Sequence, residues 1–143
     1  MNQDVEVLLR DHPDLADSGN PQPSYVIAEA ERALGVSFPV SFKEYLTNWG
    51  WLSFGPNEYL GLGTEAQSVV ATTRRVREVR SLPAALVVVC DHDGDEYVCL
   101  DTQAMKDGEC PVVIWDSPSK AVSRTRSKSF EEFLASDMRG FLE

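Results

Sequence analysis

The chain has 143 residues, 43% of them hydrophobic, and carries 13 Lys+Arg against 23 Asp+Glu, a formal charge of −10. This length and hydrophobic share fit one folded domain with a real core and argue against disorder, and no apolar run approaches the roughly 20 residues of a membrane-spanning helix. The charge balance speaks against nucleic acid as a partner, because phosphate binding runs on Lys and Arg, and it favours the approach of a basic protein.

The first 23 residues are the least regular. Val5, Leu8 and Leu9 stand at helical spacing and predict a short helix from Asp4 to Asp11, ended by His12-Pro13. Asp17 to Pro23 reads as a loop. Met1 to Asp4 has neither the basic region nor the apolar core of a signal peptide, so the expected compartment is the cytoplasm. Ser24 is placed as the N-cap of a second helix, with Val26, Ile27, Ala30, Ala33 and Leu34 on its apolar face and Gly35 as the stop. Ser41 and Glu44 are spaced as a capping box that opens a third helix over Val40 to Asn48. Gly50 ends it. Short strands are expected around Leu52–Phe54 and Tyr59–Leu62. A fourth helix, Glu65 to Arg80, should turn Val69, Val70, Thr73, Val76 and Val79 inward and show Arg74, Arg75, Arg77 and Arg80 outside.

Leu86 to Asp101 is the centre of the pattern. Two apolar runs flank an acidic knot, Asp91 to Glu96, and Asp93-Gly94 predicts a β-hairpin turn. An arm apolar at nearly every position suggests a strand inside the sheet. Pro111 to Asp116 is a further strand, Ala121 to Arg126 an edge strand guarded by Arg124, Arg126 and Lys128, and Ser129 with Glu132 a capping box for the last helix, whose face is Phe130, Phe133, Leu134, Met138 and Phe141. No βαβ alternation occurs, so the expected class is α+β: a single antiparallel meander sheet with several helices packed against it.

Three chemistries compete for the acidic knot. The spacing does not fit a calcium loop, which needs Gly at the sixth position and Glu at the twelfth. An acid–base pair from Asp93 and Asp95 would lack the desolvation that tunes catalytic carboxylates. A solvated tight turn, or a partner-facing acidic tip, remains. No nucleophile motif, phosphate loop or metalloprotease motif occurs, and Gly61-Leu62-Gly63 is too short for a phosphate cradle. The expectation is no catalytic, cofactor-binding or metal site, with a metal-dependent hydrolase as a minor alternative. Cys90, Cys99 and Cys110 are expected to be reduced, the first two as core residues. The arginines of the fourth helix would pair with the chain's own carboxylates or with an acidic patch on a partner. Trp49 and Trp51 read as core and rim, with Trp51 as an interface anchor if exposed.

The ordered set Ile27-Ala28-Glu29-Ala30-Glu31…Leu34-Gly35, Phe38-Pro39-x-x-Phe42-Lys43-Glu44-Tyr45-Leu46…Trp49-Gly50, Leu60-Gly61, Pro83…Leu86-Val87-Val88, Asp93 to Asp101, Pro111-Val112-Val113-x-Trp115-Asp116 and Ser129 to Leu134 resembles the SUKH superfamily of fungal cell-wall assembly regulators and bacterial immunity proteins. The resemblance covers about Tyr25 to Leu134 and leaves 1–23 as an extension of one SUKH-like domain, 1–143. It implies an α+β fold, no enzymatic activity and, in the bacterial branch, an immunity protein that neutralises a cognate toxin of a polymorphic toxin system, often a nuclease with a basic cleft. The alternative is an intracellular scaffold or regulatory adaptor. Expected contacts are Asp91, Asp93, Asp95, Glu96 and Asp116, with Trp51, Glu58 and Tyr59 as an anchor patch. The expected partner is the toxin, with no nucleic acid and no membrane, and the protein itself a monomer or homodimer.

Overall fold

The computed structural model describes residues 3–143; the part of the leader argument that rests on Met1 and Asn2 lies outside the described residues. In chain order the elements are α1 (Gln3–Asp11), β1 (Ala16–Ser18), α2 (Ser24–Leu34), α3 (Val40–Trp49), β2 (Leu52–Phe54), β3 (Asn57–Tyr59), α4 (Val69–Arg80), β4 (Leu86–His92), β5 (Glu96–Asp101), a 3-10 turn (Thr102–Ala104), β6 (Val112–Asp116), β7 (Ala121–Ser127) and α5 (Phe130–Leu142). The class is α+β, as expected, but the strands form two antiparallel sheets, β1-β2-β3 and β4-β5-β6-β7, where a single one was predicted. The extra strand is β1. Ala16, Asp17 and Ser18 pair with Phe54, Ser53 and Leu52, and a three-residue strand of polar composition carries no alternation to reveal it. Residues 3–18 are therefore built into the fold: Val5 is wholly buried, and Asp4 pairs with Arg139 of α5 at 3.0 Å.

The two sheets meet at a β-bulge. Val88 pairs with Cys99 and Cys90 with Val98, leaving Val89 as the extra residue, and the Val89 carbonyl accepts from Leu60 N–H at 2.9 Å. One residue away, Val88 N–H donates to Thr73 Oγ1 of α4 at 3.0 Å. β4 is thus the outer strand of its sheet, not an interior one, with these two backbone groups satisfied by other elements. Leu86 to Cys90 are all buried, so the continuous apolar run reports burial correctly but not sheet position.

Helix ends show how far local spacing reaches. Ser68 Oγ accepts from Ala71 N–H at 3.0 Å and Ser129 Oγ from Glu132 N–H at 3.2 Å; the first explains why α4 begins at Val69 and not at Glu65. Gly35 takes the left-handed conformation (φ 70°) that ends α2. Ser24 caps nothing, being the first helical residue after Pro23. The expected Ser41–Glu44 box does not form either. Glu109, from a distant turn, accepts from Ser41 N–H at 2.9 Å and from Ser41 Oγ at 2.7 Å. A carboxylate there satisfies a free amide and opposes the positive end of the helix. Glu109→Ala is expected to cost about 1–2 kcal/mol, and Glu109→Gln, which keeps an acceptor but loses the charge, about half of that; urea denaturation checks both, and an unchanged midpoint for Glu109→Ala would remove the cap from the account.

The core is one contiguous cluster. Phe42 and Tyr45 of α3 meet Phe130 of α5, each with ring centroids 4.9 Å apart. In α4 one inside–outside assignment is exchanged: Val79 is 64% exposed, while the half-buried Arg77 donates to the carbonyls of Leu34 at 2.9 Å and Ala84 at 2.6 Å. Arg74 reaches Ala33 O at 3.3 Å. These two arginines bind the free carbonyls at the end of α2, not the chain's own carboxylates. Among the described residues no helix is long and apolar enough to cross a membrane.

Candidate functional site

The site grows from the turn chemistry of the two hairpins. Between β4 and β5, Asp93 (φ 59°) and Gly94 (φ 79°) are both left-handed, the geometry an Asp-Gly pair predicts. Asp91 Oδ1 accepts from Gly94 N–H at 2.8 Å, and Asp95 O accepts from Ser117 N–H at 2.8 Å. Between β2 and β3, Gly55 (φ 60°) and Pro56 turn the chain so that Asn57 and Glu58 approach the base of the acidic tip.

Between these hairpins lies a cavity of about 200 Å³, lined by Pro56, Asn57, Glu58, Leu60, Cys90, Asp91, His92 and Asp137. Glu58 and Asp91 are exposed on its walls. Asp137 sits deeper: Oδ2 accepts from Tyr59 Oη–H at 2.6 Å and from Asn57 Nδ2 at 3.3 Å, and Oδ1 lies 3.7 Å from Arg126 Nη2. The field is strongly negative. Burial, reinforced by Asp137, Asp91 and Glu58, pushes the Cys90 thiol up to about 12, so the cavity holds a neutral sulfhydryl, a poor nucleophile. Among the described residues no group of three or more His, Cys, Asp and Glu side chains is arranged to hold a metal ion.

The predicted contact residues separate into groups. Asp91 and Glu58 share the cavity. Asp93 and Asp95 are exposed on the turn. Glu96 and Asp116 face each other across β5 and β6; Glu96 approaches Arg124 at 3.9 Å, and Asp116 is held below the usual carboxylate range by hydrogen bonds from the Ser119 side chain and amide. Trp51 does not join them: half-buried, its ring lies against Gly19, where even a Cβ would overlap it. Tyr59 is wholly buried and leaves the anchor patch. In β3 the alternation that exposes Glu58 turns Tyr59 inward, onto Phe133 and Asp137. Asp137 was not among the predicted contacts. Its signal was a carboxylate four residues after Phe133, on the edge of the apolar stripe of α5.

All three thiols are free and buried. Burial also raises Cys110 to about 12 and shifts Cys99 upward. Thiols freed by unfolding ionise near 9, whereas in the fold they keep their protons, so above pH 9 the unfolded chain binds fewer protons and stability falls as pH rises. Tyr45 and Tyr59, both shifted upward by burial, act with the same sign. The urea midpoint is expected to fall steadily between about pH 9 and pH 11; a flat profile over that window would contradict the burial of these groups.

Residues 1–138 match the SUKH_5 family model, described as SMI1-KNR4 cell-wall. The chain belongs to this family. The match takes in the N-terminal residues that the ordered motifs did not reach. SUKH proteins include toxin-immunity proteins and SMI1/KNR4 proteins. A protein of known crystal structure from Pseudomonas syringae pv. tomato is similar in fold, with a TM-score of 0.64 over 84% of this chain and 88% of that one, at 16% sequence identity. In this chain the fold carries an acidic cavity at the junction of its two sheets, built on β3, β4 and α5.

Proposed function

We propose that the protein is a cytoplasmic immunity protein that binds and neutralises the basic, nuclease-type toxin domain of a bacterial polymorphic toxin system. It acts by occupancy and not by catalysis. The observation that carries this reading is the convergence of Glu58, Asp91 and Asp137 on one cavity in a chain of charge −10, in a family that includes immunity proteins. A nuclease must expose Lys and Arg to hold its substrate. Such a surface is steered toward this field, and a cationic side chain entering the cavity would exchange water for carboxylates on several sides. Asp93 and Asp95 extend the negative surface along the tip.

The test starts with co-purification of the protein with the product of the adjacent large open reading frame. With that partner in hand, the double reversal Glu58→Lys/Asp91→Lys is expected to weaken binding at least about 100-fold, since charge reversal adds repulsion to the lost attraction, and to flatten its salt dependence. Reversal of Asp93, Asp95 and Glu96 together should act mainly on the association rate. Unchanged affinity in both variants would overturn the site assignment. The cell-wall description of the matching family supports a second reading, an intracellular scaffold without a toxin; stable capture of a partner without nuclease activity would favour it.

A further inference from the structure

The positive charge of the chain is concentrated in two segments. α4 carries Arg74, Arg75, Arg77 and Arg80, and the stretch from Ser117 to Phe130 carries Lys120, Arg124, Arg126 and Lys128; these eight of the 13 cationic residues share their segments with a single acid, Glu78. The fold joins the two segments, since Lys120 Nζ donates to the Arg80 carbonyl at 2.7 Å. Where they meet, Val79, Arg80, Ser117, Pro118 and Lys120 line a depression of about 280 Å³, bordered by Gly94 and Asp95. Val79, 64% exposed, forms an apolar wall of it. Among the described residues Arg75, Arg80 and Lys128 make no ion pair. A chain of net charge −10 with carboxylates to spare has left these cations unpaired.

β7 shows how such a face would be read. It has register shifts against β6 at Val112/Val113 and Ile114/Trp115, where Arg126 and Ser123 are the extra residues. Bulges of this kind twist an edge away from regular pairing, so an incoming chain would be read by side chains and not by strand addition. Neither segment carries an exposed aromatic residue on which bases could stack.

We propose that the α4–β7 face is a second interface, which docks an acidic segment of a partner protein by placing an apolar side chain against Val79 and carboxylates against Arg75, Arg80 and Lys120. It does not rest on the toxin reading and lies on different residues. The test uses a fluorescein-labelled peptide of four Glu-Glu-Leu-Glu repeats, read by fluorescence anisotropy with the full chain. Saturable binding is expected, weakened at least tenfold by R75E/R80E and by V79S, reduced by added salt, and not reduced by Glu58→Lys/Asp91→Lys. Absence of binding, or equal binding to R75E/R80E, would overturn it. So would tighter binding of a labelled DNA oligonucleotide with the same sensitivity to R75E/R80E, which would make the face a phosphate site. Sedimentation supplies the remaining arm: self-association of the wild type that R75E/R80E abolishes would make the occupant a second copy and refute the proposal.

Discussion

Gly61→Ala is expected to destabilise the protein by at least about 3 kcal/mol, a large share of the stability of an ordinary domain. A Cβ at this position would overlap the Gly50 carbonyl and stand 3.0 Å from the Trp51 Cα. Neither neighbour can yield, because both are backbone and the region is knitted by main-chain hydrogen bonds: Gly61 N–H to Gln67 O at 2.7 Å, Leu62 N–H to Gly50 O at 2.9 Å, and Val69 N–H to Gly61 O at 2.9 Å. Here the polar backbone of the Gly61-Leu62-Gly63 turn is used by the fold itself. Gly140→Ala is the internal control. It lies within α5 with nothing within 4 Å of the added methyl, and the lower backbone entropy of Ala should stabilise by roughly 0.5–1 kcal/mol. Urea denaturation of the pair decides the matter; equal and small effects would show that the close approach of Gly50 and Gly61 is not tight in solution.

Tyr45→Phe should cost about 2–3 kcal/mol, although it removes a single oxygen. The Tyr45 hydroxyl, fully buried, accepts from Leu52 N–H at 3.1 Å and lies 2.9 Å from the carbonyls of both Tyr59 and Leu60, to which it donates. It ties α3 to the first sheet and to the residue that bridges to the Val89 bulge. Without it one buried N–H and two buried carbonyls each lose a hydrogen-bond partner, and the cost includes their poorer solvation and not only the loss of one bond. Burial raises the phenol far above its ordinary range, against the opposing effect of the Leu52 hydrogen bond, so no tyrosinate absorbance from this residue is expected before the alkaline transition. A Tyr45→Phe chain as stable as the wild type would show that water replaces the hydroxyl at this junction.

Periodicity and turn chemistry alone determine much of this protein. The stripes of α2, α3 and α5, the Gly35 stop, the Ser129 cap and the left-handed Asp93-Gly94 turn all follow from interactions within a few residues, which a sequence displays directly. The ordered motifs also carry the family, because their spacing reflects how those elements pack. What local spacing cannot show is which distant group completes a local need. Ser41 finds Glu109 instead of Glu44, Arg77 finds the end of α2 instead of a carboxylate, and Ala16 to Ser18 become a strand because β2 offers a free edge.

The candidate site divides along the same line. Its negative charge was legible in composition and in the knot from Asp91 to Glu96. Its location was legible only in part, through Glu58 and Asp91: the tertiary structure turned Tyr59 inward, set Trp51 against Gly19, and brought Asp137 of α5 to the cavity that Glu58 and Asp91 share. The physical reason is that charge is a property of each residue, whereas a cavity is a property of packing between elements far apart in the chain.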